Sequence, residues 1–195
     1  MSTTKKHRHF KLFKPYGYLS QFTNNQTRRT KKKLLGALFD FPEGSMAIGR
    51  LDEPSEGLLL ITTDGKVSEQ VRSAKFEKEY YAQVDGIITD EAIEQLKNGV
   101  TIATETGPYK TKSAHIKKLV VSPELPLRAK NIRDERHGPT SWISITLREG
   151  KFRQVRKMTA AVGFPTLRLV RIRIGKYTID GLNSGEVAEI AAPKI

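Results

Sequence analysis

The chain is 195 residues long, carries 34 Lys and Arg against 21 Asp and Glu for a net charge of +13 at pH 7, and contains no cysteine. That length suits one sizeable core or two small lobes sharing a cleft, and no apolar run approaches the roughly 18 residues of a membrane span. Without cysteine there is no disulfide framework or zinc-thiolate cluster, and MSTTKKHRHFKLF lacks the apolar stretch of a signal peptide, so the expected setting is the cytoplasm.

In chain order, residues 1–9 read as a flexible basic tail, and HFKLF alternates like a strand before a turn at Lys14-Pro15-Tyr16-Gly17. Asn24 to Lys33 is a polar loop ending in the basic run RRTKKK. LLGALFDF predicts a short helical turn closed by Pro42, and SMAIGRLD a strand running into a loop at Glu53-Pro54. Leu58 to Thr62 is a continuous apolar strand of the kind buried on both faces. Beyond Asp64-Gly65, Val67, Val71 and Ala74 recur at helical spacing, and KEYYAQV returns to strand composition. Thr89 is placed to cap a helix with Asp90 and Glu91 in its first turn and Asn98-Gly99 at its end. Short strands follow to Val121, then a charged loop from Ser122 to Pro139 and the alternating strand SWISITL. A helix from Phe152 to Val162 is stopped by Gly163 and Pro165, and LRLVRIRIG is the last core strand. A strict two-residue period there puts Leu167, Leu169, Arg171 and Arg173 on one face and Arg168, Val170, Ile172 and Ile174 on the other. Irregular interleaving with recurrent hairpins defines an α+β fold with a mixed, largely antiparallel sheet flanked by helices.

The charge is gathered in Lys5 to Lys14, Arg28 to Lys33 and Lys151 to Arg173. It points to a polyanionic partner, because each phosphate neutralised by Lys or Arg releases a condensed counterion. Cofactor and metal chemistry find no motif. The four histidines are scattered, Arg50 and Leu51 stand where a phosphate-binding loop needs Lys and Ser or Thr, and there is no G-x-G-x-x-G or nucleophile elbow. What remains is carboxylate, arginine and tyrosine chemistry. GRLDEPSEGLLLITTDG, Gly49 to Gly65, sets the carboxylate Asp52 where the chain should be entering a core. Standing alone, Arg-Leu-Asp favours a turn-forming or helix-capping Asp. On the helix after Gly150, however, Arg153 and Arg156 are surface neighbours; an arginine partly buried there needs a carboxylate partner, and Asp52 is available.

Four segments together carry a resemblance: KPYG (Lys14 to Gly17), GRLDEPSEGLLLITTDG, KEYYAQVDG (Lys78 to Gly86) and LREGKFRQVRKMTAAVGFPTLRLVRIRIG (Leu147 to Gly175). In order and spacing they resemble the motifs of the RsuA/RluB/RluE/RluF family of ribosomal RNA pseudouridine synthases, over nearly the whole chain. Members of that family commonly carry a small RNA-binding module of the ribosomal S4 type before the Lys-Pro motif, and here only residues 1–13 precede Lys14. The resemblance therefore implies a standalone catalytic domain over residues 10–195, two subdomains around a central active-site cleft, acting as a monomer on 23S ribosomal RNA. Ser55 stands where many relatives have Thr, and Thr63 where Asn is usual.

The resemblance further implies that Asp52 is the catalytic carboxylate and that Arg156, by its spacing to Gly163, is the arginine paired with it, with Arg153 the alternate. Tyr80, of the K-x-Y motif, is implied to lie against the target base. Arg50, Arg153, Gln154, Lys78 and Leu169 are placed around the pocket, and Lys14 and Pro15 in the turn that supports it. Converting uridine to pseudouridine breaks the N1–C1′ bond, turns the base and joins C5 to C1′. No atoms are gained or lost, so no cofactor, nucleotide or metal is expected. The Asp acts either as a nucleophile on the ribose or the pyrimidine, or by drawing the 2′ proton to make a glycal. The base must be extruded first, and an aromatic face recovers part of the lost stacking. Strand alternation then makes Tyr81 the core-facing tyrosine of the pair. Arg28, Arg29, Lys31, Lys32, Lys33, Arg171 and Arg173, with the loop around Lys130 to His137, are expected to meet RNA phosphates.

Overall fold

The computed structural model describes residues 6–23, 32–73 and 76–193. In chain order its elements are β1 (His9–Lys14), β2 (Met46–Ile48), β3 (Glu56–Thr62), α1 (Gly65–Ser73), β4 (Lys78–Asp85), α2 (Asp90–Asn98), β5 (Thr101–Thr104) and β6 (Gly107–Lys110). Then come β7 (His115–Leu119), β8 (Thr140–Leu147), α3 (Gln154–Ala161), β9 (Thr166–Ile174), β10 (Tyr177–Thr178) and β11 (Val187–Ile190). The chain divides into two compact units, one of Met1–Lys75, Pro126–Arg128 and Tyr177–Ile195, the other of Phe76–Leu125 and Ala129–Lys176. The class is α+β, as the sequence predicts, and no described helix is long and apolar enough to cross a membrane.

In the first unit β1 lies antiparallel along β3, from His9 opposite Thr62 to Lys14 opposite Gly57. β2 sets Met46, Ala47 and Ile48 against Thr62, Ile61 and Leu60, and β11 extends the sheet beyond β1. Every residue of β3 is buried, which its unbroken apolar run requires of a strand with neighbours on both edges. Phe10, Leu12, Leu35, Leu59 and Ile61 form the core, with Phe22 and Phe41 against it. Phe41 meets Phe10 and Phe22 edge-on at 5.6 and 5.2 Å, the arrangement that ring quadrupoles favour. β1 begins inside the expected tail, because His9 Nδ1 and Thr62 Oγ1 lie 2.9 Å apart in a buried contact and the Thr63 amide bonds the Arg8 carbonyl. α1 starts where the Asp64 carboxylate accepts the Lys66 amide at 2.9 Å.

The second unit is an antiparallel sheet in the order β9-β4-β8-β7, with β5 and β6 forming a separate hairpin. Its core joins Ala82, Val84, Ile143, Ile145 and Leu169 of the sheet to Leu96 of α2 and to Val155 and Met158 of α3. The Thr89 hydroxyl accepts the Ala92 amide at 3.2 Å to start α2. Gly99 ends it at φ +84°, where a Cβ would stand 2.1 Å from the Thr111 carbonyl oxygen, so only glycine fits.

β9 departs from a two-residue period. Tyr81, Ala82 and Gln83 face Val170, Leu169 and Arg168, but Tyr80 faces Arg171, Glu79 faces Arg173 and Val84 faces Thr166. Ile172 and Leu167 are thus extra residues, and each such bulge resets which side the chain presents. Leu169 and Arg171 share the face of Ala82 and Tyr80, whereas Arg173 sits with Glu79 on the opposite one. Arg171 and Arg173, expected on one face from alternation, lie on opposite ones.

Candidate active site

Asp52 lies in the first unit, in the loop between β2 and β3, and is partly exposed. The loop is fixed largely through its backbone. The Ser55 amide donates to the Asp52 carbonyl at 3.0 Å, closing a turn over Glu53-Pro54, and the Gly17 amide donates to the Glu53 carbonyl at 2.9 Å. Just upstream, Ser20 Oγ donates to the Leu51 carbonyl at 2.8 Å and accepts the Leu51 amide at 2.9 Å. Asp52 is thus a turn residue, as Arg-Leu-Asp alone favours, and the turn is closed through its main-chain carbonyl.

Lys14 is fully buried, and its ammonium donates to the carbonyls of Pro15 at 2.9 Å, Tyr18 at 2.7 Å and Glu53 at 3.4 Å. A buried charge is tolerable only when dipoles replace its water, and here the carbonyls do so. The Lys14-Pro15-Tyr16-Gly17 turn is therefore scaffold for the Asp52 loop. A second buried charge stands nearby in sequence: Glu56, 1% exposed, is paired with Arg128 at 3.1 Å, and that guanidinium lies 4.1 Å from the centre of the Tyr16 ring. Arg50 is exposed, Lys32 holds the Glu53 carboxylate at 2.5 Å, and the Lys33 ammonium sits 5.5 Å from the Tyr18 ring. Arg28, Arg29 and Lys31 lie outside the described residues.

In the second unit, Tyr80 stands on β4 between Ile145 of β8 and Arg171 of β9, packed against the core. This reverses the expectation for the tyrosine pair: α2 and α3 cover the Tyr80, Ala82, Val84 face, so Tyr81 points the other way. At the start of the same strand the Lys78 ammonium donates to the Phe76 carbonyl at 3.2 Å. Burial, and secondarily the Arg171 charge, push its pKa below the ordinary lysine value.

α3 starts at Gln154, two residues later than predicted, because Arg153 sits at φ 53°, the one non-glycine residue at positive φ among those described. That conformation costs about 1–2 kcal/mol and persists only where the surroundings impose it. Gln154 supplies the restraint: it is 4% exposed, its Oε1 accepts the Lys151 amide at 2.9 Å, and its Nε2 donates to Glu149 at 2.6 Å. Glu149 also accepts the Tyr109 hydroxyl at 2.6 Å and the Lys112 amide at 3.0 Å. Burial alone would raise the Glu149 pKa, but the bonds from Tyr109, Lys112 and Gln154 outweigh it and hold the carboxyl below the usual range. The same bond raises the Tyr109 phenol. A depressed carboxylate pKa stabilises the fold above the ordinary carboxylate range and loses that stabilisation as pH falls through the depressed value. Glu149→Gln is accordingly expected to lower Tm by about 3 °C at neutral pH, with the gap to wild type closing in acid; thermal melts from pH 7 to 3 check it.

Arg156, on α3, donates Nη1 to the Thr166 carbonyl at 3.2 Å. Four of the expected site residues are buried or held by partners within the protein. Gln154 is spent on the loop before α3, and Leu169, 5% exposed, belongs to the buried core. Arg171 is 4% exposed, and Arg173 is bound by Glu79 at 2.9 Å and Glu77 at 3.4 Å. Among the described residues no group of three or more His, Cys, Asp or Glu side chains is set to hold a metal. Ser20, Tyr109 and Glu149 were not singled out by sequence: a serine that bonds main chain has no spacing signature, and the Glu149 cluster assembles from β6, β8 and α3 flanks far apart in the chain.

The chain belongs to the RNA pseudouridylate synthase family, whose model matches residues 9–161. It is 41% identical over 173 residues to a protein of Xanthomonas axonopodis pv. citri named ribosomal large subunit pseudouridine synthase E, covering 88% of this chain and 87% of that one. A protein of the same name from Vibrio vulnificus is 40% identical, over 92% of this chain and 74% of its own length. Ribosomal large subunit pseudouridine synthase B of Bacillus subtilis is 31% identical over 96% of this chain and 69% of its own. In fold, the chain resembles a crystal structure of a pseudouridylate synthase with a TM-score of 0.75 at 23% identity, over 98% of this chain and 73% of that one.

Proposed function

We propose that the chain isomerises a specific uridine of 23S ribosomal RNA to pseudouridine, with Asp52 as the catalytic carboxylate. What supports this reading is that relatives named large subunit pseudouridine synthase E share about two residues in five with it over nine-tenths of its length, Asp52 standing within the matched family region. In the proposed reaction the uridine leaves its stack, the N1–C1′ bond breaks, the freed base turns, and C5 bonds C1′ before its proton departs. Asp52 attacks the ribose or the pyrimidine, or draws the 2′ proton. Arg156 supplies positive charge to the reacting site, Tyr80 its ring to the base, and Arg50, Arg153 and Lys78 bind the RNA around it. The exposed lysines and arginines, including Lys33, take backbone phosphates. The reaction needs no cofactor, and the protein acts as a monomer in the cytoplasm.

Carbodiimide labelling with primer extension, run on ribosomal RNA from cells with and without this gene, tests the reading. One pseudouridine stop in 23S RNA is expected to vanish with the gene and return when it is restored; an unchanged pattern of stops overturns it.

A further inference from the structure

We infer that Ser20 is a positioning residue for the reaction, its hydroxyl setting the peptide that leads into Asp52 and so the direction of the carboxylate. The inference rests on the reading of Asp52 given above. One oxygen, Ser20 Oγ, holds both polar groups of Leu51, donating its hydrogen to the carbonyl at 2.8 Å and accepting the amide at 2.9 Å. Only a hydroxyl can do both at one point; an alanine does neither, and a thiol does each weakly. Ser20 and Leu51 are each 7% exposed, so water does not compete for these bonds.

Ser20 can act as a fixed point because its own segment is tied on both sides. The Leu19 amide donates to the Lys33 carbonyl at 2.9 Å, and the Leu35 amide donates to the Gln21 carbonyl at 3.0 Å. Downstream of Leu51, the Asp52 and Glu53 carbonyls are held by Ser55, Gly17 and Lys14. The loop around Asp52 is therefore gripped at both ends, and Ser20 is the upstream grip. Removing it leaves the downstream turn in place and frees the peptide just before Asp52 to rotate. Such a change misdirects the carboxylate without touching RNA. Chemistry suffers and binding does not, since a misplacement on the order of 1 Å costs about 100-fold in rate.

The test compares wild type, Ser20→Ala, Ser20→Thr, Ser20→Cys and Asp52→Asn, each as the full chain, on 23S RNA from cells lacking the gene. It reads kcat, KM and Tm. The expected result is a kcat at least about 10-fold lower for Ser20→Ala with KM within about twofold of wild type, most of the rate restored in Ser20→Thr, and Ser20→Cys between them. A kcat within twofold of wild type in folded Ser20→Ala, a loss confined to KM, or a folded Ser20→Thr as slow as Ser20→Ala overturns the inference. Should Ser20→Ala fail to fold, Ser20→Cys decides: a lower kcat at unchanged KM supports the inference, and a wild-type kcat ends it. An inactive wild type or a fully active Asp52→Asn would instead end the functional reading. An active wild type with inactive Asp52→Asn and unimpaired Ser20→Ala ends this inference alone.

Discussion

Asp52→Asn is expected to slow pseudouridine formation by about 10⁴-fold or more while leaving the protein folded and bound to RNA. Asparagine has the shape of aspartate but can neither form an ester with ribose, add to the pyrimidine, nor take the 2′ proton, so every route left open for Asp52 is closed together. The fold should not notice. The turn at this position is closed by the Ser55 amide on the Asp52 carbonyl, a main-chain bond that an amide side chain leaves alone. Tm is expected within about 2 °C of wild type. Losing one negative charge takes the net charge from +13 to +14, so RNA affinity should hold or rise slightly, by less than about threefold at physiological salt. Single-turnover rates, melting curves and filter binding on one preparation read all three. A variant that converts uridine at a tenth of the wild-type rate removes Asp52 from the chemistry, and one that has lost RNA binding in parallel reassigns it to substrate capture.

Much of the fold was open to reading because it rests on local signals. The apolar run of β3 announces a strand buried on both faces, and Thr89, Asp90, Glu91 and Gly99 mark both ends of α2. The family-level motifs made the Lys14 turn a support for the site, and that turn bonds the Glu53 carbonyl, next to Asp52, through the Gly17 amide and the Lys14 ammonium. The misses share a cause: each depends on pairing between segments distant in sequence. A two-residue period cannot foresee the bulges at Ile172 and Leu167, the first of which places Arg171 and Arg173 on opposite faces and gives the second to Glu77 and Glu79. Alternation correctly separated Tyr80 from Tyr81, but which face meets helices is decided by where α2 and α3 return to the sheet. The resemblance put Gln154 around the pocket, and its amide also bonds Lys151 and Glu149. A motif identifies residues that belong together without saying which of them hold the others in place.

Lys14→Met should show the converse behaviour to Asp52→Asn, losing stability first and rate as a consequence. Methionine follows lysine as far as Cε and fills much of the same volume, so the change removes an ammonium and little else. Three carbonyls, of Pro15, Tyr18 and Glu53, then lose a donor in a site where the side chain is fully buried. A buried acceptor left without its partner costs about 1–3 kcal/mol, and hydrogen bonds to a charged donor are at the strong end of their range. Against this, burying the ammonium was itself unfavourable, and that cost disappears with it. Two of the three bonds are short and the third is long, so the losses outweigh the relief by about 3 kcal/mol, which for a chain of this size lowers Tm by about 6–12 °C. The Glu53 carbonyl keeps the Gly17 amide alone, and the downstream side of the Asp52 turn loosens. Below the variant's melting transition kcat is expected to fall on the order of 10-fold with KM unchanged, far less than for Asp52→Asn, because the carboxylate is still present and only its average position has changed. Melting curves and kcat at 20 and 37 °C separate the two effects. A Lys14→Met protein with wild-type Tm would show that the ammonium and its desolvation cancel. One with lowered Tm but full kcat at 20 °C would show that the Gly17, Ser20 and Ser55 bonds suffice to hold Asp52 in place.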